Sequence, residues 1–217
     1  NVNVTLLFSL ERYRAVAEAY LAALEARAER GLDLSRLASV ASFFLSRIDV
    51  KVDPLLERVM AEGGARAGRA ERLRGRVALA SAKGAYAIYR ELFGGERFER
   101  LRAQGARPQR LLWASTSTKN PDYPDLLYVE PLVGPETVNT MPLETLEAYR
   151  DHGAPALRLT EGMDEAAADL AALAELGLEL SALTLDLERE GVEKFVKPFD
   201  SLLATLREAG KPDQTLA

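Results

Sequence analysis

The 217-residue sequence contains no cysteine and one histidine, His152. Without cysteine, no disulfide and no thiolate metal site can form, and a single histidine excludes any site built from several histidines. No apolar run approaches the length of about 20 residues that a membrane-spanning helix needs, and the first residues include neither a basic segment nor an apolar signal core. We therefore expect a cytoplasmic protein without membrane contact.

A surplus of positive charge is also absent, because the formal net charge is −5. This charge argues against a nucleic-acid-binding surface. One arginine-rich run stands out, Arg66, Arg69, Arg72, Arg74 and Arg76, but glutamates are interleaved with it and precede it. We predict that the run is a solvated helix face or loop rather than a nucleic-acid site.

What the sequence does contain is an alternation of strand and helix patterns. Val2, Val4 and Leu6 alternate with Asn3 and Thr5, which has the period of a strand with two different faces. The predicted strands lie near residues 2–7, 37–44, 110–116 and 136–140. The first predicted helix begins after a cap at Ser9. Glycines 63, 64 and 68 are expected to break the helical pattern. The other predicted helices cover about 53–60, 77–93, 96–104, 142–153, 163–176 and 187–209.

This order predicts an α/β fold with right-handed crossovers and a parallel sheet. We find no linker, so residues 1–217 are predicted to be one domain segment. Because 47% of the residues are hydrophobic, the chain is long enough for a substantial core. Parallel strands are normally covered on both faces. The sheet is therefore either small and wrapped by helices or part of a larger closed barrel, and the opening strand suggests that the chain starts within a fold.

In a (β/α)₈ barrel, the polar residues that form the active site lie at the carboxyl ends of the strands. Six residues of this chain fall there: Asn3, Thr5, Ser42, Arg47, Ser115 and Lys119. Amides, hydroxyls and two cations together suit a phosphorylated polyol. Each residue also has a simpler interpretation. Taken alone, Asn3 and Thr5 fit polar barrel filler better, Arg47 fits an ion pair to Asp49 or Asp53, and Lys119 fits a solvated loop lysine.

Four segments resemble the longer bacterial form of transaldolase. They are residues 1–9 (NVNVTLLFS), 38–49 (ASVASFFLSRID), 112–123 (LWASTSTKNPDY) and 137–142 (TVNTMP). The resemblance covers nearly the whole chain in order. It implies a (β/α)₈ barrel that transfers a dihydroxyacetone unit between sugar phosphates of the pentose phosphate pathway. The family reacts through a lysine Schiff base and uses neither metal nor organic cofactor.

The same resemblance implies roles for individual residues. Thr5 matches the threonine that holds the catalytic water, and Asn3 matches the asparagine that contacts the bound dihydroxyacetone unit. Ser42 and Arg47 match a serine and an arginine of the sixth strand, with Arg47 on the substrate phosphate. Lys119 is the nearest equivalent of a second cation after the seventh strand, although the loop differs in length from that of shorter members.

The resemblance also makes the opening strand the fifth of the barrel. The family's Schiff-base lysine, acid/base glutamate and essential aspartate would then precede Asn1, and no lysine of this chain occupies the required position. We therefore expect the carboxyl-terminal half of a transaldolase barrel, strands five to eight with the final helices, that is inactive alone. Two alternatives stay open: an inactive half-barrel that assembles with another copy of itself, and an aldolase that uses Lys119.

Overall fold

The computed structural model describes residues 1–209. Four strands alternate with eight α-helices, and a 3₁₀ turn covers Glu130–Leu132. In chain order the elements are β1 (Val2–Leu7), α1 (Leu10–Glu29), β2 (Ser39–Phe44), α2 (Ser46–Glu62), α3 (Ala65–Leu73), α4 (Val77–Phe93), α5 (Glu96–Arg102), β3 (Arg110–Ala114), β4 (Thr137–Asn139), α6 (Leu143–His152), α7 (Met163–Glu175) and α8 (Leu180–Ala209).

The four strands form one parallel sheet in the order β1-β2-β3-β4. Each strand therefore pairs with its neighbour in sequence, as expected when every connection is a crossover of the same hand. The predicted α/β class, its parallel sheet and the four strand positions are confirmed. All four carboxyl ends consequently lie at one edge of the sheet, which we call the carboxyl edge.

The two faces of the sheet differ in how well they are covered. The register aligns Phe43 with Trp113, and both are almost fully buried. Tyr13 of α1 packs edge-on against Phe43, with ring centroids 6.5 Å apart, so this face carries the helical layer. On the opposite face Asn3 is exposed, and Val40 and Leu112 are only partly buried. Within residues 1–209, one face of the sheet is thus closed by helices and the other is largely open.

Helix α1 shows how the local sequence sets these elements. Ser9 accepts a hydrogen bond from the Arg12 amide at 3.0 Å, which confirms the predicted cap. Tyr13, Ala17 and Leu21 follow at intervals of four residues and are fully buried. That spacing keeps one stripe of the helix on the sheet.

Three helix predictions were wrong. Helix α2 begins at Ser46 rather than Asp53, and Pro54 lies inside it. Pro54 cannot donate the helical hydrogen bond to the carbonyl of Val50, and Val50 lies on the exposed side of the helix. Gly63 and Gly64 do end α2 with positive φ angles, but α3 follows directly and includes Gly68.

Helix α8 was predicted from Leu187 and instead begins at Leu180. Two ion pairs join α8 to α1 and α2, Glu188 with Arg12 at 3.0 Å and Glu190 with Lys51 at 2.7 Å. The added turns are held by packing, because Leu180 and Leu183 lie against the core and Thr184 is buried. None of the helices in residues 1–209 is long and apolar enough to cross a membrane.

The arginine-rich run lies on α3 and in the turn that leads to α4. Arg74 pairs with Glu57 at 2.9 Å, Arg76 pairs with Asp169 at 2.8 Å, and Arg69 also pairs with a glutamate of α7, Glu175. The prediction that the run forms a helix face or loop is confirmed, with Arg66, Arg72 and Arg76 exposed. These ion pairs connect α3 and the turn before α4 to α2 and α7.

Candidate functional site at the carboxyl edge

Asn3 and Ser42 are the first pair of candidates that the sheet brings together. They lie on the same face of neighbouring strands, because Asn3 is in register with Val40. Asn3 is the second residue of β1, so the prediction that it lies at a carboxyl strand end is wrong. The Ser42 hydroxyl donates to the Asn3 side-chain oxygen at 2.7 Å. Ser42 is buried and Asn3 is exposed, so the bond presents the Asn3 amide group toward the open side in a fixed orientation.

Thr5 lies two residues further along β1 and is exposed. The next residue, Leu6, has φ of 62°, and the pairing with β2 shifts between Val4 and Leu7. This bulge costs about 1–2 kcal/mol for a non-glycine residue in the left-handed region. Strained backbone of this kind concentrates at functional sites. No hydrogen bond within residues 1–209 engages the Thr5 hydroxyl, so it is available to a ligand.

Ser115 also has a left-handed backbone, with φ of 57°. Its carbonyl accepts the Ser46 amide at 3.0 Å, and the two hydroxyls are 2.8 Å apart. Because Ser46 is the first residue of α2, these contacts fasten the start of α2 to the end of β3. The structure therefore places Ser115 at the carboxyl edge, in contact with the helix that carries Arg47.

Arg47 lies in the first turn of α2, one residue after the helix begins. Its guanidinium stacks over the ring of Phe44, with the central carbon 5.5 Å from the centroid. Within residues 1–209 it makes no hydrogen bond and no ion pair. The simpler interpretation, an ion pair with Asp49 or Asp53, is wrong. A guanidinium in the first turn of a helix adds to the positive end of the helix dipole, and both favour a negatively charged group nearby.

Lys119 lies in the segment that follows β3. It is exposed, and its amine donates to the Ser117 hydroxyl at 2.5 Å. It also lines a pocket of about 260 Å³ between this segment and α2, together with Asp53 and Tyr123. The structure thus places Lys119 beside α2 but leaves the solvated-lysine interpretation open.

Sequence reasoning missed two buried carboxylates on α2. Asp49 accepts hydrogen bonds from the Ala78 amide and the Tyr128 hydroxyl, both at 2.8 Å. Burial raises the pKa of Asp49 to about 7, although both hydrogen bonds act in the opposite direction. Burial likewise raises the pKa of Asp53. Their four-residue spacing, beside the apolar Ile48 and Val52, would have indicated a buried helix face had α2 been predicted to begin at Ser46.

Apart from Lys119, each lysine of residues 1–209 either is bonded to another residue or is exposed to solvent. Lys51 pairs with Glu190, and this hydrogen bond raises the pKa of Lys51. Burial lowers the pKa of Lys83, but its amine donates to the carbonyl of Glu161 and lines a pocket beside α7. Lys194 and Lys197 are exposed, and Lys211 lies outside the described residues. Within residues 1–209, no three His, Cys, Asp or Glu side chains are grouped to hold a metal ion.

Comparison with known proteins gives a family for this chain. Residues 1–206 match the model of the family described as transaldolase/fructose-6-phosphate aldolase. A protein of Thiobacillus denitrificans named transaldolase is 51% identical over 206 residues, which are 95% of this chain and 56% of that protein. The transaldolase of Thermobifida fusca is 51% identical over 204 residues, 94% of this chain and 54% of that protein. The chain therefore spans about half the length of these curated relatives.

Proposed function

Because the chain belongs to the transaldolase/fructose-6-phosphate aldolase family, we propose that it supplies the carboxyl-terminal half of a transaldolase barrel. The complete enzyme transfers a dihydroxyacetone unit from sedoheptulose 7-phosphate to glyceraldehyde 3-phosphate. The observation that carries the proposal is the carboxyl edge itself. There the unpaired guanidinium of Arg47 follows the end of β2, and Ser115 follows the end of β3. The hydrogen-bonded pair Asn3 and Ser42 lies further back along β1 and β2, on the open face of the sheet.

The open face of the sheet supports the half-barrel. Four consecutive parallel strands with helices on one face are half of the eight strands that a (β/α)₈ barrel needs. The other face, with Val40 and Leu112 only partly buried, would line the barrel interior. Strands five to eight of the enzyme are thus the assignment that we propose for β1 to β4.

In this proposal each candidate residue binds a different part of the substrate. Arg47 and the amino end of α2 hold the phosphate, because both offer positive charge and donors to its oxygens. Asn3, held by Ser42, binds a hydroxyl of the dihydroxyacetone unit, and Thr5 holds the reacting water. Ser115 adds a hydroxyl close to the phosphate, and Lys119 adds a second positive charge.

The covalent step requires a lysine that this chain does not offer at the edge. The amine must be partly neutral to attack the ketose carbonyl, and an ordinary lysine with a pKa near 10.4 is almost fully protonated at pH 7. Lys83 is partly desolvated, but its amine is bound to backbone carbonyls beside α7. We therefore place the Schiff-base lysine in the amino-terminal half of the enzyme.

The test is a transfer assay with the 217-residue chain, alone and together with the amino-terminal half of the enzyme, purified from a host without its own transaldolases. Transfer from fructose 6-phosphate to erythrose 4-phosphate should occur only with both halves. Borohydride reduction in the presence of fructose 6-phosphate should attach the sugar to a lysine outside the 217 residues.

The outcomes separate the three interpretations. Turnover by the chain alone, with the reduced sugar on Lys119, would establish the Lys119 aldolase in place of the half-enzyme. Two halves that form a folded complex without any transfer would favour the inactive assembly module. Intact mass spectrometry of the natural protein is an independent check, because a mass near 24 kDa is expected for the 217 residues alone.

A further inference from the structure

Two carboxylates on α2 are buried at a cost that the proposed chemistry does not explain. Asp49 is 1% exposed and Asp53 is 7% exposed. Both lie on one face of the helix, because they are four residues apart. Arg47 precedes them by two and six residues on the same helix. A buried carboxylate is retained only when hydrogen bonds compensate for its lost hydration, so the partners of these two groups indicate what they do.

The two carboxylates have matching sets of partners. Each accepts one backbone amide from the start of α4 or the turn before it, and each accepts one tyrosine hydroxyl from the segment that follows β3. For Asp53 the donors are the Gly75 amide at 3.1 Å and the Tyr123 hydroxyl at 2.7 Å. For Asp49 the donors are the Ala78 amide and the Tyr128 hydroxyl. The pair therefore joins three parts of the chain: α2, α4 and the segment after β3.

Tyr123 is the more accessible of the two tyrosines, because it is partly exposed whereas Tyr128 is buried. Its ring packs against Gly75, where a side-chain carbon would come within 2.9 Å of the ring. Gly75 also has φ of 66°, so both its backbone conformation and its small size favour glycine there. The ring of Tyr123 therefore packs against Gly75, and its hydroxyl is held by the hydrogen bond to Asp53.

Lys119 is four residues before Tyr123 in a compact turn. The Tyr123 amide donates to the Asn120 carbonyl at 3.2 Å, and the Thr118 hydroxyl donates to the Pro124 carbonyl at 2.8 Å. Because the turn is closed on itself, it should move as one unit with Tyr123. Lys119 and Tyr123 also line the same pocket against α2.

We propose that Tyr123 and Asp53 are positioning residues that hold the Lys119 turn against α2, so that the Lys119 amine stays in fixed relation to Arg47. The inference rests on the proposed function, in which both cations serve the substrate phosphate. Their charges act together only when the two elements that carry them are fixed relative to each other. The Tyr123–Asp53 bond supplies that connection without touching substrate.

The test is a set of variants in the complete enzyme, assayed for KM and kcat with fructose 6-phosphate as donor. Tyr123→Phe removes only the hydroxyl and leaves the ring on Gly75. We expect KM to rise about three- to tenfold, the factor for one ordinary hydrogen bond, with kcat almost unchanged. The matched control is Tyr149→Phe, because the Tyr149 hydroxyl makes no hydrogen bond within residues 1–209, and its KM should stay at the wild-type value.

A double-mutant cycle separates positioning from a merely structural role. If Tyr123 acts through Lys119, Lys119→Ala should raise KM less in the Tyr123→Phe background than in the wild type. Asp53→Ala, with its fold checked by circular dichroism, should reproduce the rise in KM from the α2 side. The competitive inhibition constant of inorganic phosphate should rise in parallel with KM in both variants.

The results distinguish this inference from the proposed function. If Arg47→Ala raises KM but Tyr123→Phe leaves it unchanged, the positioning role is wrong and the enzyme assignment stands. Equal effects of Lys119→Ala in both backgrounds would also overturn it. If the complete wild-type protein shows no transfer, the proposed function is wrong and this inference is overturned with it.

Discussion

Arg47 has the setting expected of a substrate-binding cation. It lies in the first turn of α2, without an ion-pair partner in residues 1–209, and its guanidinium is stacked on Phe44. Arg58 of the same helix is also unpaired within the described residues, so the absence of a partner is not enough by itself. The position of Arg47 directly after the carboxyl end of β2 is the feature that favours ligand binding.

Replacing Arg47 should therefore weaken substrate binding. Arg47→Ala in the complete enzyme should raise KM for a phosphorylated donor about ten- to a hundredfold, since a hydrogen bond to a charged group contributes about 1.5–3 kcal/mol. The loss of kcat should be smaller. Arg58→Ala removes the same charge from the same helix at an exposed, unpaired position and is the control. A change in KM below about twofold for Arg47→Ala, with the fold intact, would contradict the assignment.

Asp49 predicts a pH dependence of stability. Burial raises its pKa from 3.8 to about 7, so between these values the folded protein binds more protons than the unfolded chain. The contribution of Asp49 to the free energy of unfolding is therefore largest below pH 4 and is lost as the pH rises through about 7. The loss is at most about 4 kcal/mol, at 1.36 kcal/mol per pKa unit.

Asp49→Asn removes this titration while keeping an oxygen for the Ala78 amide. Urea unfolding from pH 4 to pH 8 should show a smaller decline for the variant than for the wild type. The exposed Asp122, changed to Asn, is the control and should follow the wild-type curve. Parallel curves for Asp49→Asn and the wild type would show that Asp49 is not protonated in this range.

At the scale of elements, α8 crosses the end of β1 at one close contact. A side-chain carbon added to Gly191 would lie 3.0 Å from the Leu6 side chain. Leu6 is the left-handed residue of the bulge, directly after Thr5. The missing side chain of Gly191 thus lets a helix lie on the strained turn that precedes α1.

A larger residue at this crossing should force the two elements apart. Gly191→Val should lower the free energy of unfolding by about 1–3 kcal/mol, the usual effect of overpacking. The measurement is urea unfolding followed by far-ultraviolet circular dichroism. Glu193→Val places the same residue at an exposed position of α8 and should change stability much less. Equal effects of the two variants would mean that the contact with Leu6 does not limit the packing.

The start of α2 shows where element prediction from sequence fails. Pro54 suggested a helix start at Asp53, and nothing in the sequence between Phe44 and Asp53 indicated an earlier one. In the structure β2 ends at Phe44 as predicted, and Leu45 and Ser46 turn away at once through bonds to the carbonyls of Ala114 and Ser115. Those carbonyls belong to the next strand, about 70 residues later in the chain. A local pattern does not contain that information.

At the scale of the whole molecule, the open face of the sheet needs a cover. Val40 and Leu112 are only partly buried, and β1 is an unpaired edge within the described residues. Exposed parallel edges and apolar faces promote association. The 217-residue chain by itself should therefore self-associate, and the amino-terminal half of the enzyme should replace that contact.

Light scattering after size exclusion tests this expectation. Leu112→Asp on the open face should shift the isolated chain toward the monomer, because the charge would be buried on association. Leu157→Asp at an isolated exposed leucine is the matched control and should leave association unchanged. Phe199→Asp tests the exposed apolar stripe of α8. A monomeric wild-type chain would contradict the prediction, and loss of association only in Phe199→Asp would assign the contact to α8.

The sequence by itself determined the class of fold, the four strands and the parallel order. These follow from local periodicity, from caps such as Ser9, and from crossovers long enough to impose one hand. The resemblance to the family also named Asn3, Ser42 and Arg47 before their geometry was known. Such residues are recognisable because they lie in short contiguous motifs.

Only the tertiary structure decided how these residues are held. The Asn3–Ser42 bond joins positions 39 residues apart, and the Asp49–Tyr128 bond joins positions 79 residues apart. The bulge at Leu6, the free guanidinium of Arg47 and the burial of Asp49 likewise depend on neighbours from other elements. Periodicity describes a residue's relation to its own helix or strand, whereas hydrogen-bond partners and desolvation are properties of the packed chain.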